Sequence, residues 1–180
     1  MADILFGNVS PSGRLPVTFY KSINDLPSFD DYSMKGRTYR FFRGEPLFPF
    51  GYGLSYTNFE YKSAGNENVY SESGKLTAKL TVMNTGDREG EEVVLVYASK
   101  AGKPMEKPGN YLPAPEKSLV GFSRVSLEAG ESKSVKVEVD LMNMHQWDEG
   151  NQRYFVEKGN YVIQVNPSGG GGFSMQVKIE

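Results

Sequence analysis

Beyond about residue 56, hydrophobic and polar positions alternate with period two, and three stretches are clean enough to count. In 75–83, Leu76, Ala78, Leu80 and Val82 point one way while Lys75, Thr77, Lys79 and Thr81 point the other. In 134–141, Val135, Val137, Val139 and Leu141 alternate with Ser134, Lys136, Glu138 and Asp140. In 173–180, Phe173, Met175, Val177 and Ile179 alternate with Ser174, Gln176, Lys178 and Glu180. Each pattern predicts an antiparallel strand with one face buried and one wet. Residues 92–99 are apolar on both faces, which suits a central strand or one covered by another body. Tyr161, Ile163 and Val165 form another inward set, and 119–127 and 153–156 are shorter candidates. The apolar parity changes between Phe122 and Val125, where a bulge or corner is expected.

Turn chemistry separates these runs: Asn84-Thr85-Gly86, Glu128-Ala129-Gly130, Lys158-Gly159-Asn160 and the glycine tract at 168–172. Seven or eight short strands with no helical period predict a mainly β chain, an immunoglobulin or fibronectin type III-like antiparallel sandwich. The loop 100–118, with Pro104, Pro108, Pro113 and Pro115, is long for such a domain, and long loops tend to carry contacts.

Residues 1–55 read differently. The start, Met1-Ala2-Asp3-Ile4-Leu5-Phe6-Gly7, has neither the basic region nor the apolar core of a secretion signal and looks like a cut into something larger. A strand-like run, Leu15-Pro16-Val17-Thr18-Phe19-Tyr20, has no neighbour to pair with, so it must edge an absent body or pack on the downstream chain. Residues 21–56 are broken by Pro27, Pro46, Pro49, Gly36, Gly44, Gly51 and Gly53, as an extended connector would be. Yet nine aromatics lie between Tyr39 and Tyr61. Side chains that large argue for a linker glued along a surface, an extended N-terminal arm of the sandwich, rather than for disorder.

Charge and composition narrow the chemistry. Lysine and arginine number 20 against 22 acidic residues, with no block of either sign, so nucleic acid is not an expected partner. The longest apolar run, 93–98, is far short of the roughly 20 residues of a membrane helix, and no membrane contact is expected. No cysteine is present, which excludes disulfides, thiolate metal sites and a cysteine nucleophile. With the single His145, no site needing two imidazoles can form, and no cofactor or metal is expected.

Candidate motifs are correspondingly thin. Gly169–Gly172 lacks the lysine and the helix of a phosphate cradle, and Gly51-Tyr52-Gly53 lacks the third glycine of a dinucleotide fingerprint. His145 beside Asp148 and Glu149 could form an acid–base couple. Its structural counterpart is a short strand or corner at 144–147 whose Trp147 fills the core. Adjacent acids such as Asp30 and Asp31 do not show the spacing that glycoside hydrolysis needs. The aromatic belt could stack on sugar rings, against the plainer role of packing.

Several stretches, taken in order, resemble the C-terminal region of glycoside hydrolase family 3, the β-glucosidase and β-xylosidase family. They are Asp3-Ile4-Leu5-Phe6-Gly7, Pro11-Ser12-Gly13-Arg14-Leu15-Pro16-Val17-Thr18-Phe19, Asp31-Tyr32, Gly36-Arg37-Thr38-Tyr39-Arg40-Phe41-Phe42 and Pro49-Phe50-Gly51-Tyr52-Gly53-Leu54-Ser55-Tyr56-Thr57. Asn84-Thr85-Gly86, Gly90-Glu91 with Val93, Lys117-Ser118-Leu119-Val120-Gly121-Phe122 and Gly159-Asn160-Tyr161 extend the likeness over nearly the whole chain.

The resemblance implies three parts: a remnant of an α/β sandwich domain at 1–20, an aromatic docking linker at 21–55 and a fibronectin type III-like domain at 56–180. It implies an upstream barrel and α/β sandwich of the same parent chain as partners, carbohydrate as a further one, and a periplasmic or secreted protein. Enzymes of this family are retaining hydrolases whose aspartate nucleophile lies on the barrel in a serine-aspartate-tryptophan-like motif. Here the one tryptophan, Trp147, follows Gln146 and precedes Asp148. The resemblance therefore implies no catalytic residue, and a noncatalytic scaffold or accessory segment, with an independent carbohydrate-binding module as the alternative. Tyr39, Arg40, Phe42, Tyr52 and Trp147 are the candidate contacts to sugar or to neighbouring domains.

Overall fold

Apolar residues on alternate positions can leave water only by facing a second sheet, and the strands do this. The computed structural model describes residues 2–64, 76–102, 115–148, 150–166 and 172–179. Lys75, Glu149, most of the loop with Pro104, Pro108 and Pro113, and most of the glycine tract lie outside the described residues.

The strands are β1 (Phe59–Ser63), β2 (Leu76–Asn84), β3 (Gly90–Lys100), β4 (Ser118–Leu127), β5 (Ser132–Val139), β6 (Gln146–Asp148), β7 (Arg153–Phe155), β8 (Gly159–Val165) and β9 (Phe173–Ile179). All ladders among them are antiparallel. One sheet has the order β1-β2-β5, the other β4-β3-β8-β9, and β6 and β7 form a separate hairpin. The chain is thus mainly β, with a fibronectin type III-like sandwich of three strands against four.

The core lies between the sheets. Leu76, Ala78 and Leu80 of β2 stand opposite Val139, Val137 and Val135 of β5, so the inward sets coincide across the ladder. From the other sheet come Val94, Val96 and Ala98 of β3 and Tyr161, Ile163 and Val165 of β8. Strand β1 carries Tyr61 inward opposite Val82; it is a strand that the alternation pattern did not single out, because Phe59 and Tyr61 belong equally to the aromatic belt.

Two expectations are corrected. Trp147 does not fill the core: it is 48% exposed on the hairpin. A single 3-10 turn, Leu141–Met144, follows β5, opened by Asp140 accepting from the Met142 amide at 2.9 Å, and it delivers Met144 to the core instead. The flexible thioether fills the gap at the sandwich end that the indole was expected to fill. The bulge lies earlier than expected. Register steps from Val96↔Gly121 to Tyr97↔Leu119, leaving Val120 as the extra residue. Phe122 then points outward, 71% exposed. The inward residue is Gly121, whose absent side chain gave no apolar signal.

The arm packs against the outer face of the four-stranded sheet. Its regular pieces are short: helical turns α1 (Ala2–Leu5) and α2 (Thr38–Phe41), and a 3-10 turn Ile23–Asp25 closed by a Ser22–Asp25 capping box. The lone strand-like run finds its partner in the connector. Leu15 N–H donates to Tyr52 O at 2.8 Å and Phe19 N–H to Phe48 O at 2.9 Å, with an isolated antiparallel bridge Phe19↔Phe48.

Candidate functional site

The residues on the outward face of β3 set the site. Leu95 is 8% and Tyr97 1% exposed although neither belongs to the core between the sheets; the arm covers them. The sequence pattern of 92–99, apolar on both faces, has this cause. At Gly51 the backbone adopts φ +83°, and a Cβ there would stand 2.6 Å from Leu95 Cδ1 and 2.9 Å from the Tyr97 hydroxyl. Only glycine combines that conformation with that approach. The rings of Tyr39 and Phe50 stack at 4.4 Å, and both present edges or faces to Tyr97 at 5.9 and 6.3 Å.

Beside this aromatic seam runs a buried polar one. Glu92, 2% exposed, accepts from the Tyr61 hydroxyl at 2.7 Å and from Asn166 Nδ2 at 3.1 Å, and its other carboxylate oxygen pairs with the Arg14 guanidinium of the arm. Asn166 also donates to the Tyr61 hydroxyl at 2.6 Å, while its side-chain oxygen accepts from the Leu95 amide. Its backbone is left-handed, φ 42°, a conformation asparagine tolerates better than most residues. One carboxylate thus ties the arm, β1, β3 and the end of β8 together. Sequence reading missed this set. Its one visible signal was Glu92, an acid inside an otherwise apolar strand.

Burial dominates the electrostatics here. It raises the Tyr61 hydroxyl far above the usual tyrosine range, helped by the adjacent Glu92 charge and the hydrogen bond to it, and it raises Tyr97 likewise, with Tyr39 adding to the effect. A group whose pKa is raised on folding contributes stability below its unfolded pKa, near 10, and loses that contribution as pH climbs past it. Alkaline titration followed by tyrosinate absorbance should therefore show exposed tyrosines ionising normally, while Tyr61 and Tyr97 ionise only as the chain unfolds. Their ionisation near pH 10 with the fold intact would contradict this burial.

The candidate contacts fall in two places. Along the seam, the Tyr39 hydroxyl accepts from the Leu119 amide at 3.0 Å, Arg40 Nε donates to Ser118 Oγ at 3.1 Å, and Phe42 packs edge-on to Tyr20 at 4.8 Å. Tyr52 packs on Phe48 at 4.9 Å. Trp147 sits on the β6–β7 hairpin directly opposite Tyr154, ring centroids 5.0 Å apart, and the His145 ring also meets Tyr154, at 4.5 Å. Asp148 is occupied by its own turn: it accepts from the Gly150 and Asn151 amides and from Asn151 Nδ2 at 2.7 Å, donors that hold its carboxyl below the usual range. The histidine–carboxylate couple is therefore not assembled from His145 and Asp148, and Glu149 lies outside the described residues.

A cleft of about 1030 Å³ runs between arm and sandwich, walled by Val9, Pro11, Leu15, Phe19, Phe48 and Leu54, with Arg14 and Glu91 among its polar residues. Phe29 is 96%, Tyr32 90%, Phe6 83% and Ile23 81% exposed. Among the described residues no group of three His, Asp or Glu side chains gathers as metal ligands.

Two family models match the chain. Residues 1–56 match the glycosyl hydrolase family 3 C-terminal domain and residues 92–169 the fibronectin type III-like domain. The chain is 39% identical over 168 residues to a xylan 1,4-beta-xylosidase of Xylanibacter ruminicola, covering 93% of this chain and 18% of that protein. To the periplasmic beta-glucosidase of Salmonella typhimurium it is 34% identical, over 92% of this chain and 22% of the relative. Among solved structures, a beta-glucosidase from Kluyveromyces marxianus in complex with glucose superposes with a TM-score of 0.81 at 31% identity, over 99% of this chain and 22% of that one. A beta-glucosidase from Streptomyces venezuelae in complex with D-glucose gives 0.78 at 32%, over 99% and 24%. The chain spans about a fifth of the length of the relatives it matches.

Proposed function

We propose that this chain, which belongs to the C-terminal region of glycoside hydrolase family 3, is a noncatalytic scaffold of a retaining β-glycosidase. The relatives it matches are several times longer, so other domains share their chains. The division we adopt assigns 1–20 to the end of an α/β sandwich domain, 21–55 to an aromatic linker and 56–180 to the fibronectin-like domain. The barrel and α/β sandwich would carry the sugar chemistry, and the present segment would hold their geometry.

The observation that carries this reading is an arm fastened to the sandwich yet rich in exposed apolar side chains. Tyr39, Phe50 and the Arg14–Glu92 pair fasten the arm to the sandwich, while Phe6, Ile23, Phe29 and Tyr32 of the arm stand in water and an apolar cleft opens between arm and sandwich. Exposed apolar sets of this kind mark interaction surfaces. A rigid fastening to one body together with exposed apolar side chains is what a spacer between domains requires.

Mixed with separately expressed barrel and α/β sandwich domains of its parent, the chain is expected to bind them at micromolar concentration; no association at high micromolar would overturn the docking role. In an aryl-glycoside assay the chain alone is expected to give no turnover, and enzyme-like release of sugar would overturn the noncatalytic reading. The second reading, a carbohydrate-binding module, draws on the exposed Trp147–Tyr154 pair, since the seam aromatics are engaged with one another. Calorimetry against xylan, cellulose and laminarin oligosaccharides separates the two: silence favours the scaffold, saturable binding abolished by Trp147→Ala favours the module.

A further inference from the structure

Between the 3-10 turn Ile23–Asp25 and α2 the arm makes a loop whose tip reads Phe29-Asp30-Asp31-Tyr32. Both aromatics stand almost wholly in water. The backbone beneath them is closely tied, and one side chain does most of the tying. Arg37 Nε donates to Ser33 O at 3.0 Å, and Nη2 donates to Ser28 O at 3.4 Å and to Asp31 O. The Asp31 amide donates to Ser28 O at 3.1 Å, and the Asp31 carboxylate accepts from the Ser33 amide at 2.8 Å. At the loop's exit Thr38 has φ 56°, a left-handed conformation that a β-branched residue keeps only where its surroundings impose it. The Tyr20 hydroxyl holds both sides of that turn, accepting from the Thr38 amide at 2.9 Å and donating to Gly36 O at 3.4 Å.

Ordering a loop costs conformational entropy, and a side chain left in water returns none of it within this chain. A loop ordered beforehand does lower the cost of an encounter with a partner. The tip also has a sign. The Ser28 hydroxyl and the Ser33 amide hold the Asp30 and Asp31 carboxyls below their ordinary range, so the aromatics are flanked by two negative charges. The nearest cations in sequence, Lys35 and Arg37, lie on the return limb, and Arg37 is turned to the carbonyls. The loop falls within residues 1–56, which match the hydrolase domain, and outside the fibronectin-like match at 92–169. In the xylosidase and periplasmic glucosidase relatives the matching region is 18% and 22% of the protein, so most of each chain is available to meet it.

We propose that 27–37 is a docking finger: Phe29 and Tyr32 enter an apolar socket edged with cations on the remainder of the parent chain, and Arg37 is the positioning residue that sets the tip. This rests on the scaffold reading and narrows it to one loop and one kind of partner surface. A neutral sugar offers no charge to two carboxylates, and a second copy meeting tip to tip would bring four carboxylates together.

The test is amide hydrogen exchange over 28–34, compared between the 180-residue chain and the full-length parent enzyme. Exchange is expected to be about tenfold or more slower in the parent. The double variant Phe29→Ala, Tyr32→Ala should abolish that difference, and Asp30→Lys should reduce it. Arg37→Met should abolish it as well while exchange along β2 and β5 stays unchanged, and Arg37→Lys, which keeps the charge but not the fork, should not restore it. Equal exchange over 28–34 in both proteins, with other parts of the arm protected in the parent, would overturn the finger and leave the scaffold reading standing. No protection anywhere in the arm would end both. Unchanged protection in the tip variants, protection that grows with concentration of the chain alone, or protection that arises only on adding a xylose or glucose oligosaccharide would each overturn the assignment.

Discussion

Glu92→Leu is expected to destabilise the fold by about 3–5 kcal/mol, the cost of breaking a buried ion pair from one side. Leucine fills much of the volume but leaves the Arg14 guanidinium, 15% exposed at its side chain, without a counter-charge. It also takes the acceptor from the Tyr61 hydroxyl, and each unsatisfied buried group of that kind adds about 1–3 kcal/mol. Asn166 suffers less, because its amide still reaches the Tyr61 hydroxyl at 2.6 Å and Val93 O at 3.3 Å. Adding Arg14→Met should recover part of the loss, since apolar replacement of both members of a buried pair is often near neutral. Denaturant unfolding of the four proteins in this cycle measures the coupling. A Glu92→Leu protein within about 1 kcal/mol of the parent would show that the pair serves register rather than stability. Limited proteolysis of the arm should follow the same order, with the single variants cut fastest.

The second large effect is expected at Gly121. Its backbone is not left-handed; the constraint is proximity. A Cβ there would stand 2.3 Å from Glu138 O and 2.9 Å from Val137 Cγ1, where β4 crosses close to β5 of the opposite sheet. No rotamer can relieve a clash with a carbonyl oxygen, so the two sheets must separate locally. Gly121→Ala is expected to cost about 3 kcal/mol, the upper end of ordinary overpacking. The bulge at Val120 should be lost with it, and amide exchange along β4 should accelerate relative to β9. By contrast, Gly130→Ala, where no atom lies within 4 Å, should cost only what its φ of +72° imposes. Equal thermal midpoints for Gly121→Ala and the parent would refute the close approach.

These two positions show where the sequence stops being informative. Strands β2, β5 and β9 were legible because the period-two rule is local: each inward Val or Leu announces its own face. Strand β3 was legible as doubly covered, though not by what. Gly121 and Trp147 fail for opposite reasons. A glycine pointing into a core carries no apolar mark, and a tryptophan carries the strongest mark while standing on a hairpin beside Tyr154. The decision between Met144 and Trp147 rests on where one 3-10 turn ends, and element ends are the least readable feature of a sequence.

The seam obeys the same logic. The density of aromatics from Tyr39 to Tyr61 announces packing, and Tyr39 and Phe50 do meet Tyr97. Arg14 and Glu92 lie 78 positions apart, and nothing in either local pattern names the other.

That Leu95 and Tyr97 are sealed by the arm bears on how the module can be moved between proteins. A fibronectin-like unit excised at its first strand would carry an oily stripe down the middle of its outer face and a carboxylate stripped of its guanidinium. It would be prone to clump, as a lens does when its coating is peeled. The portable unit for fusion or domain grafting therefore has to begin upstream of Arg14.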